Sequence, residues 1–266
     1  MPRVEVNGIG LDYEIRGQGE PLLMIHGLGH SVHSWFAQLP YLSQRFRAVV
    51  YDCRGVGASD KPDLPYDIAD DAGDAVGLLD ALGIERAHLL GVSRGGYIAQ
   101  EIAIRHPERV ARLALLVTHA GGPEYLAATK PLWDEILDVR GLTAEQIFRK
   151  AAQFSTAPEF FETRRETVEA IVAARMASVQ PASAFRRQFE SAAAFDARER
   201  IGRIEAPCLV VAGEKDRIVP LRFVQALASG IPGARLEIVR DAAHLVHVEK
   251  ADLVNRTVVD FLKGAG

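Results

Sequence analysis

The sequence has few cysteines, no excess of basic residues and no long apolar run. Its 266 residues include two cysteines, Cys53 and Cys208, too few for a disulfide framework or a cysteine-rich metal site. Lys and Arg number 31 against 35 Asp and Glu, and this net charge of −4 argues against a nucleic-acid binder that relies on positive charge. No segment approaches the roughly 20 apolar residues of a membrane span, and no secretion signal follows Met1. We therefore expect a cytoplasmic protein without nucleic-acid or membrane partners.

Short apolar runs alternate with segments of helical spacing along most of the chain. Residues 4–16 alternate apolar and polar side chains around Asn7-Gly8, which predicts a β-hairpin. In the later runs the apolar residues are too continuous for strands with one solvent-exposed face. These runs therefore predict buried parallel strands. These runs are residues 22–25, 48–51, 88–91, 113–117, 208–212 and 236–239, and the helical segments are 68–82, 93–105 and 250–262. The prediction is an α/β fold, with a mostly parallel central sheet, helices on both faces and the hairpin as its antiparallel edge.

The alternation stops between residues 122 and 204. This stretch has no strand-like run, is rich in Ala, Glu and Arg, and carries aromatic side chains along helical segments. We predict a helical insertion at 122–204 in a core formed by residues 1–121 and 205–266. Most of its aromatic side chains should pack the insertion, and a few should line a pocket where it meets the core.

A Gly-x-Ser-x-Gly pattern at residues 91–95 joins a predicted buried strand to a predicted helix. In that context the turn exposes the hydroxyl of Ser93 above the carboxyl end of the sheet, and the flanking glycines let strand and helix approach. The alternative is a Gly-rich turn that only needs a short polar residue. We favour a nucleophilic serine.

A serine nucleophile needs a base and a group that orients the base. Asp216 follows the strand at 208–212, and His244 follows the next strand, so both are expected at the same edge of the sheet as Ser93. Glu214 is a competing carboxylate, and Asp216 could instead cap a helix. His247 is a weaker candidate base because it should lie inside a helical turn.

The transition state of acyl transfer also needs donors for a developing oxyanion. One donor should be the backbone N–H of Arg94, the residue after the nucleophile. The other should be the N–H of Leu28, since the glycines of the sequence His26-Gly27-Leu28-Gly29 permit a turn towards the site. His26 itself is expected to be structural.

Taken together, these motifs resemble the α/β-hydrolase superfamily over essentially the whole chain, on the branch of serine esterases and 3-oxoadipate enol-lactonases. The resemblance implies that Ser93, Asp216 and His244 form a catalytic triad, that Leu28 and Arg94 supply the oxyanion hole, and that the helical insertion is a cap. It also implies that Arg54 and Asp60, in and beside the loop after the fourth strand, belong to the scaffold. Dehalogenases and epoxide hydrolases of this fold carry Asp in place of the serine. The motifs are residues 26–29, 52–59, 91–96, 216 and 244.

Two positions depart from the family pattern. Arg94 stands where relatives often have an uncharged residue, so its guanidinium must leave the pocket, pair with a carboxylate, or bind an acidic group of the substrate. Ala242 replaces the glycine usually found two residues before the histidine.

The sequence thus predicts a cofactor-independent serine hydrolase that cleaves a small-molecule carboxylic ester or lactone through an acyl-enzyme. The alternatives are a C–C bond hydrolase of diketone ring-cleavage products, which uses the same triad, and a ligand receptor with slow turnover. Trp35, Tyr97 and Trp133 are candidate substrate contacts. No phosphate-binding loop, dinucleotide fingerprint or metal cluster is present in the sequence. The sequence specifies neither the oligomeric state nor the acyl and alcohol groups of the substrate.

Overall fold

The computed structural model describes residues 1–264, which are built around an eight-stranded sheet. The strands are β1 (Arg3–Val6), β2 (Ile9–Arg16), β3 (Pro21–Ile25), β4 (Arg47–Tyr51), β5 (Ala87–Val92), β6 (Val110–Leu116), β7 (Cys208–Gly213) and β8 (Arg235–Val239). Their order is β1-β2-β4-β3-β5-β6-β7-β8. β1 and β2 form an antiparallel edge, and the other strands run parallel to one another. The predicted α/β fold with its antiparallel hairpin is confirmed.

Helices connect the strands and cover both faces of the sheet. Within the described residues they are α1 (Leu39–Leu42), α2 (Ile68–Ala81), α3 (Arg94–Arg105), α4 (Pro123–Leu137), α5 (Ala144–Ser155), α6 (Pro158–Thr163), α7 (Arg165–Met176), α8 (Ala182–Ala194), α9 (Leu221–Gly230), α10 (Val246–Glu249) and α11 (Ala251–Leu262). Short 3-10 helices span Val32–Trp35, Pro107–Arg109 and Ile201–Arg203. None of the helices between residues 1 and 264 is long and apolar enough to cross a bilayer.

Alternate residues of the central strands belong to two different cores. In β3, Leu23 and Ile25 pack in the core that includes α2 and α3, whereas Leu22 and Met24 pack in the core that includes α11. All four side chains are fully buried. Burial on both faces explains why this strand reads as a continuous apolar run in the sequence.

The ends of α2 follow from its sequence. The side chain of Asp67 accepts a hydrogen bond from the backbone N–H of Asp70, and the Asp70 side chain accepts one from the N–H of Asp67. This capping box satisfies donors that the first turn leaves free. Gly83 then adopts a left-handed φ of +65°, which stops the helix where the sequence predicted.

Helices α4 to α8 form the helical insertion, which lies between β6 and β7. The chain leaves the core at Gly121 and returns at Asp196, and these two residues form an isolated antiparallel bridge. Phe195 and Ile201, which the sequence assigned to the insertion, pack in the core that includes α3, as does Tyr125 of α4. The division into core and cap stays a prediction. Residues 265 and 266, at the end of the predicted core segment 205–266, lie outside the described residues.

Candidate active site

Ser93 lies on a sharp turn between the end of β5 and the start of α3. Its backbone has φ +53° and ψ −119°, which is strained for a residue with a side chain. Both flanking positions need glycine because a side chain there would collide with the backbone. A Cβ on Gly95 would lie 2.1 Å from the carbonyl oxygen of Ile25, and one on Gly91 would lie 2.5 Å from the carbonyl oxygen of Gly95. The turn presents Ser93 to a cavity between the sheet and the insertion.

The structure brings Ser93, His244 and Asp216 into one hydrogen-bonded chain. His244 Nε2 lies 3.0 Å from Ser93 Oγ, and His244 Nδ1 lies 2.8 Å from Asp216 Oδ2. The other carboxylate oxygen of Asp216 accepts hydrogen bonds from the N–H groups of Ile218 at 2.8 Å and Val219 at 2.9 Å. A carboxylate at Nδ1 favours the tautomer that carries its proton there, which leaves Nε2 free to accept the serine proton.

The two competing candidates lie in other positions. Glu214 is exposed, and its carboxylate accepts a hydrogen bond from the backbone N–H of Asp241 at 3.2 Å. His247 lines the same cavity, but its ring packs against Trp35, with ring centres 6.1 Å apart, and burial lowers its pKa to about 3. Neither residue forms a hydrogen bond to the hydroxyl of Ser93 or the ring of His244.

The loop that carries His244 is held by a side chain that the sequence did not single out. Glu249 Oε1 accepts a hydrogen bond from the N–H of Ala243, and its Oε2 accepts one from the N–H of Ala157 in the insertion, both at 2.9 Å. In this loop the left-handed conformation falls on Asp241, with φ +53°, and not on Ala242. Residue 242 therefore does not need the left-handed conformation that favours glycine.

Leu28 and Arg94 are the two residues whose backbone N–H groups the sequence assigns to the oxyanion hole. Leu28 lines the cavity, and the adjacent Gly27 is so close that a Cβ on it would lie 3.4 Å from Ser93 Cβ. Neither of these two N–H groups has an acceptor in residues 1–264. Free donors beside a nucleophile suit an oxyanion, and the assignment of both stays a prediction.

His26 holds the loop of Leu28 in place. Its Nε2 accepts a hydrogen bond from the N–H of Cys53 at 3.1 Å, and its Nδ1 lies 3.1 Å from the carbonyl oxygen of Gly27. Burial lowers the pKa of His26, so the ring is neutral and suited to accept at Nε2. This position agrees with the structural role expected for it.

Arg94 points away from the cavity. Its guanidinium forms a buried ion pair with Asp71 and lies 3.3 Å from the hydroxyl of Ser191. Both charged side chains are at most 2% exposed. The structure therefore supports the pairing with a carboxylate and corrects the alternative, in which this guanidinium binds the substrate. Arg54 and Asp60 also serve the scaffold, through bonds to Asp74 and to the N–H of Gly10.

The cavity beside Ser93 has a volume of about 740 Å³, counted with the open space at its mouth. Of the three predicted contacts, Trp35 and Trp133 line it. Tyr97 does not, because its ring stacks on Phe195 at 4.6 Å and its hydroxyl is hydrogen-bonded to His119. The expectation for Tyr97 is corrected accordingly.

Arg175 is a cavity residue that sequence reasoning missed. It lies on α7 and lines the cavity together with His30 and Phe185. The insertion contains several arginines at helical spacing, so the sequence has no signal that separates this one. Within residues 1–264 no group of three or more His, Cys, Asp or Glu side chains is arranged to hold a metal ion.

Known proteins similar to this chain are hydrolases. RutD of Azorhizobium caulinodans, named as a carbamate hydrolase, is 31% identical over 261 residues, which cover 98% of each chain. The 2-hydroxy-6-oxo-6-phenylhexa-2,4-dienoate hydrolase of Comamonas testosteroni is 31% identical over 264 residues, 95% of this chain and 91% of the relative.

The same likeness holds in three dimensions. The crystal structure of the enol-lactonase from Burkholderia xenovorans LB400 has a TM-score of 0.88 and 30% identity, with 98% of this chain and 100% of that one covered. Residues 20–251 match the family described as the alpha/beta hydrolase fold. The chain therefore belongs to the α/β-hydrolase family, as the motifs of its sequence predicted.

Proposed function

We propose that this protein is a serine hydrolase that cleaves a carboxylic ester or lactone through an acyl-enzyme. The observation that carries the proposal is the hydrogen-bonded chain from Ser93 through His244 to Asp216, placed at the wall of a largely apolar cavity. A serine, an imidazole and a buried carboxylate in this order are the groups that acyl transfer requires.

In the first half-reaction Ser93 Oγ attacks the substrate carbonyl while His244 Nε2 takes the hydroxyl proton. The negative charge moves to the carbonyl oxygen, where the free N–H groups of Leu28 and Arg94 stabilise it. Loss of one such donor typically costs about 10²- to 10³-fold in kcat. His244 then gives the proton to the departing alkoxide, and the acyl group stays on Ser93.

In the second half-reaction water replaces the alcohol. His244 takes a proton from the water as it attacks the acyl-enzyme, and then returns this proton to Ser93 Oγ as the acid leaves. Asp216 holds the ring in one orientation and stabilises the imidazolium throughout. The proposal requires no cofactor.

A second candidate is hydrolysis of a C–C bond in a diketone ring-cleavage product. The named activity of the Comamonas testosteroni relative favours it, and that relative has the same 31% identity to this chain as the RutD protein has. The enol-lactonase neighbour favours the ester and lactone reading.

The test is hydrolysis of p-nitrophenyl esters from acetate to decanoate and of a lactone panel, with Ser93→Ala and the exposed Ser183→Ala as a matched pair. We expect turnover that Ser93→Ala removes and Ser183→Ala preserves, with an initial burst of p-nitrophenol equal to the enzyme present. A fluorophosphonate should label Ser93. Turnover that survives Ser93→Ala would overturn the proposal, and turnover of ring-cleavage diketones alone would favour the second candidate.

A further inference from the structure

Two neighbouring strands of the sheet are each followed by a residue with a left-handed backbone. Ser93 follows β5 with φ +53°, and Val117 follows β6 with φ +46°. A positive φ is rare for a β-branched residue, because its side chain crowds its own backbone. Val117 is fully buried, and its N–H donates to the carbonyl oxygen of Val211 in β7 at 2.8 Å. The packed sheet therefore holds Val117 in this strained conformation.

The turn at Val117 leads to Thr118, a fully buried residue that the sequence did not single out. The hydroxyl of Thr118 donates a hydrogen bond to the carbonyl oxygen of Ser93 at 2.8 Å. The N–H of Ser93 donates to the carbonyl oxygen of Leu116 at 2.9 Å. Leu116 and Thr118 thus hold both polar groups of the Ser93 backbone.

The second glycine after Ser93 leaves room for Thr118. A Cβ on Gly96 would lie 2.6 Å from Cβ and Cγ2 of Thr118, so a side chain at position 96 would displace the threonine. The N–H of Gly96 also donates to the carbonyl oxygen of Ser93, at 2.8 Å. This oxygen therefore accepts two hydrogen bonds, and the one from Thr118 ties it to the end of β6.

The carbonyl of Ser93 and the N–H of Arg94 belong to one peptide group. This peptide is trans and planar, so its C=O and N–H point in opposite directions. A donor that holds the C=O therefore also fixes the direction of the N–H, which is the predicted oxyanion donor. A hydrogen bond to the carbonyl further polarises the peptide, and this makes its N–H a stronger donor.

We propose that Thr118 is a positioning residue for the oxyanion hole, and that it acts through the peptide between Ser93 and Arg94. The inference rests on the proposed function, because it needs Ser93 as the nucleophile and the N–H of Arg94 as a donor to the oxyanion. Thr118 is not among the residues that line the cavity. It should therefore change the rate of reaction with every substrate rather than the binding of a particular one.

Two pairs of variants separate the hydrogen bond of Thr118 from its packing. Thr118→Val keeps the branched shape and loses the hydroxyl, whereas Thr118→Ser keeps the hydroxyl and loses the methyl group. Thr118→Ala differs from Thr118→Ser only in the hydroxyl oxygen, so this pair repeats the comparison in a smaller side chain. The matched control is Thr129→Val, because Thr129 is also buried and its hydroxyl donates to the carbonyl oxygen of Tyr125 at 2.9 Å.

Three quantities report on the nucleophile and the oxyanion. They are kcat/KM for p-nitrophenyl acetate, the rate constant for labelling of Ser93 by a fluorophosphonate, and the inhibition constant of a trifluoromethyl ketone. With the ketone, Ser93 Oγ adds to the carbonyl carbon, its proton passes to His244, and the carbonyl oxygen becomes an oxyanion. We expect Thr118→Val to worsen each quantity by about 3- to 10-fold, which corresponds to the loss of one hydrogen bond.

The remaining variants set the comparison. Thr118→Ser and Thr129→Val should stay within about 2-fold of the wild-type protein, and Thr118→Ala should be as slow as Thr118→Val. The positioning role is overturned if Thr118→Val matches Thr129→Val in all three measurements. It is also overturned if Thr118→Ser loses as much as Thr118→Val, or if hydrolysis slows while the affinity for the ketone is unchanged.

Failure of the proposed function has a different signature. In that case turnover and fluorophosphonate labelling would persist in Ser93→Ala, whatever the Thr118 variants do. If Ser93→Ala abolishes both while Thr118→Val behaves like the control, the serine hydrolase stands and the role of Thr118 falls.

Discussion

Glu249 joins the loop of the candidate base to the helical insertion: its carboxylate accepts hydrogen bonds from the N–H of Ala243 and the N–H of Ala157, both at 2.9 Å. Burial raises the pKa of Glu249. One side chain thus fixes two segments that both border the cavity.

Glu249→Gln should therefore lower kcat with little change in KM. The amide has a single acceptor oxygen, so one of the two N–H groups loses its partner and the His244 loop is held less firmly. We expect kcat to fall by about 10-fold, because small displacements of catalytic groups are costly. Asp252→Asn, an exposed change on α11, is the control. Equal kcat values in the two variants would show that Glu249 does not position the base.

Asp216→Asn should nearly abolish turnover while Glu214→Gln preserves it. The amide at position 216 no longer favours the His244 tautomer with its proton on Nδ1, and loss of this orientation costs on the order of 10³- to 10⁴-fold in kcat in related chemistry. Steady-state hydrolysis of a p-nitrophenyl ester measures both variants. A larger loss in Glu214→Gln than in Asp216→Asn would exchange the roles of the two carboxylates.

Arg94→Met should destabilise the protein without a selective effect on acidic esters. The change leaves Asp71 buried without its cation, which costs about 3 to 5 kcal/mol in the free energy of unfolding. Adding Asp71→Leu removes the orphaned charge and should recover much of the loss. Urea denaturation of the wild-type, single and double variants measures these differences. If the double variant is as unstable as Arg94→Met, packing rather than the charge pair explains the loss.

The stability of the protein should fall as the pH drops below about 6.5. Burial lowers the pKa of His119 to about 3, so in acid the unfolded chain takes up a proton at this residue that the folded chain does not. Between pH 6.5 and pH 5 this difference removes up to about 2 kcal/mol from the free energy of unfolding. His119→Asn should flatten the pH dependence of unfolding in this range, whatever its stability at pH 7. An unchanged slope would contradict the assignment.

The sequence predicted those parts of the site that depend on local backbone chemistry. The elbow at Ser93 could be found because glycines at 91 and 95 are needed wherever a strand and a helix approach this closely. Asp216 and His244 could be placed because the carboxyl ends of parallel strands meet at one edge of the sheet.

Features that depend on packing between distant segments could not be predicted. Tyr97 is one turn of helix beyond Ser93, yet its ring faces Phe195 and not the cavity. Arg175 reaches the cavity only because α7 packs beside the segment that carries His30. The pairing of Arg94 with Asp71 likewise joins two helices whose contact the sequence does not encode locally.

The bridge between Gly121 and Asp196 brings the two ends of the helical insertion to one point beside the sheet. A segment that leaves and returns at neighbouring positions can change its length and composition without altering the register of β6 against β7. Ser93, His244 and Asp216 all lie outside that segment, whereas Arg175 and Trp133 lie within it. Under the proposed function, the reacting groups lie outside the insertion and part of the cavity lining lies within it, so exchange of residues 122–195 should change substrate preference without replacing the reacting groups.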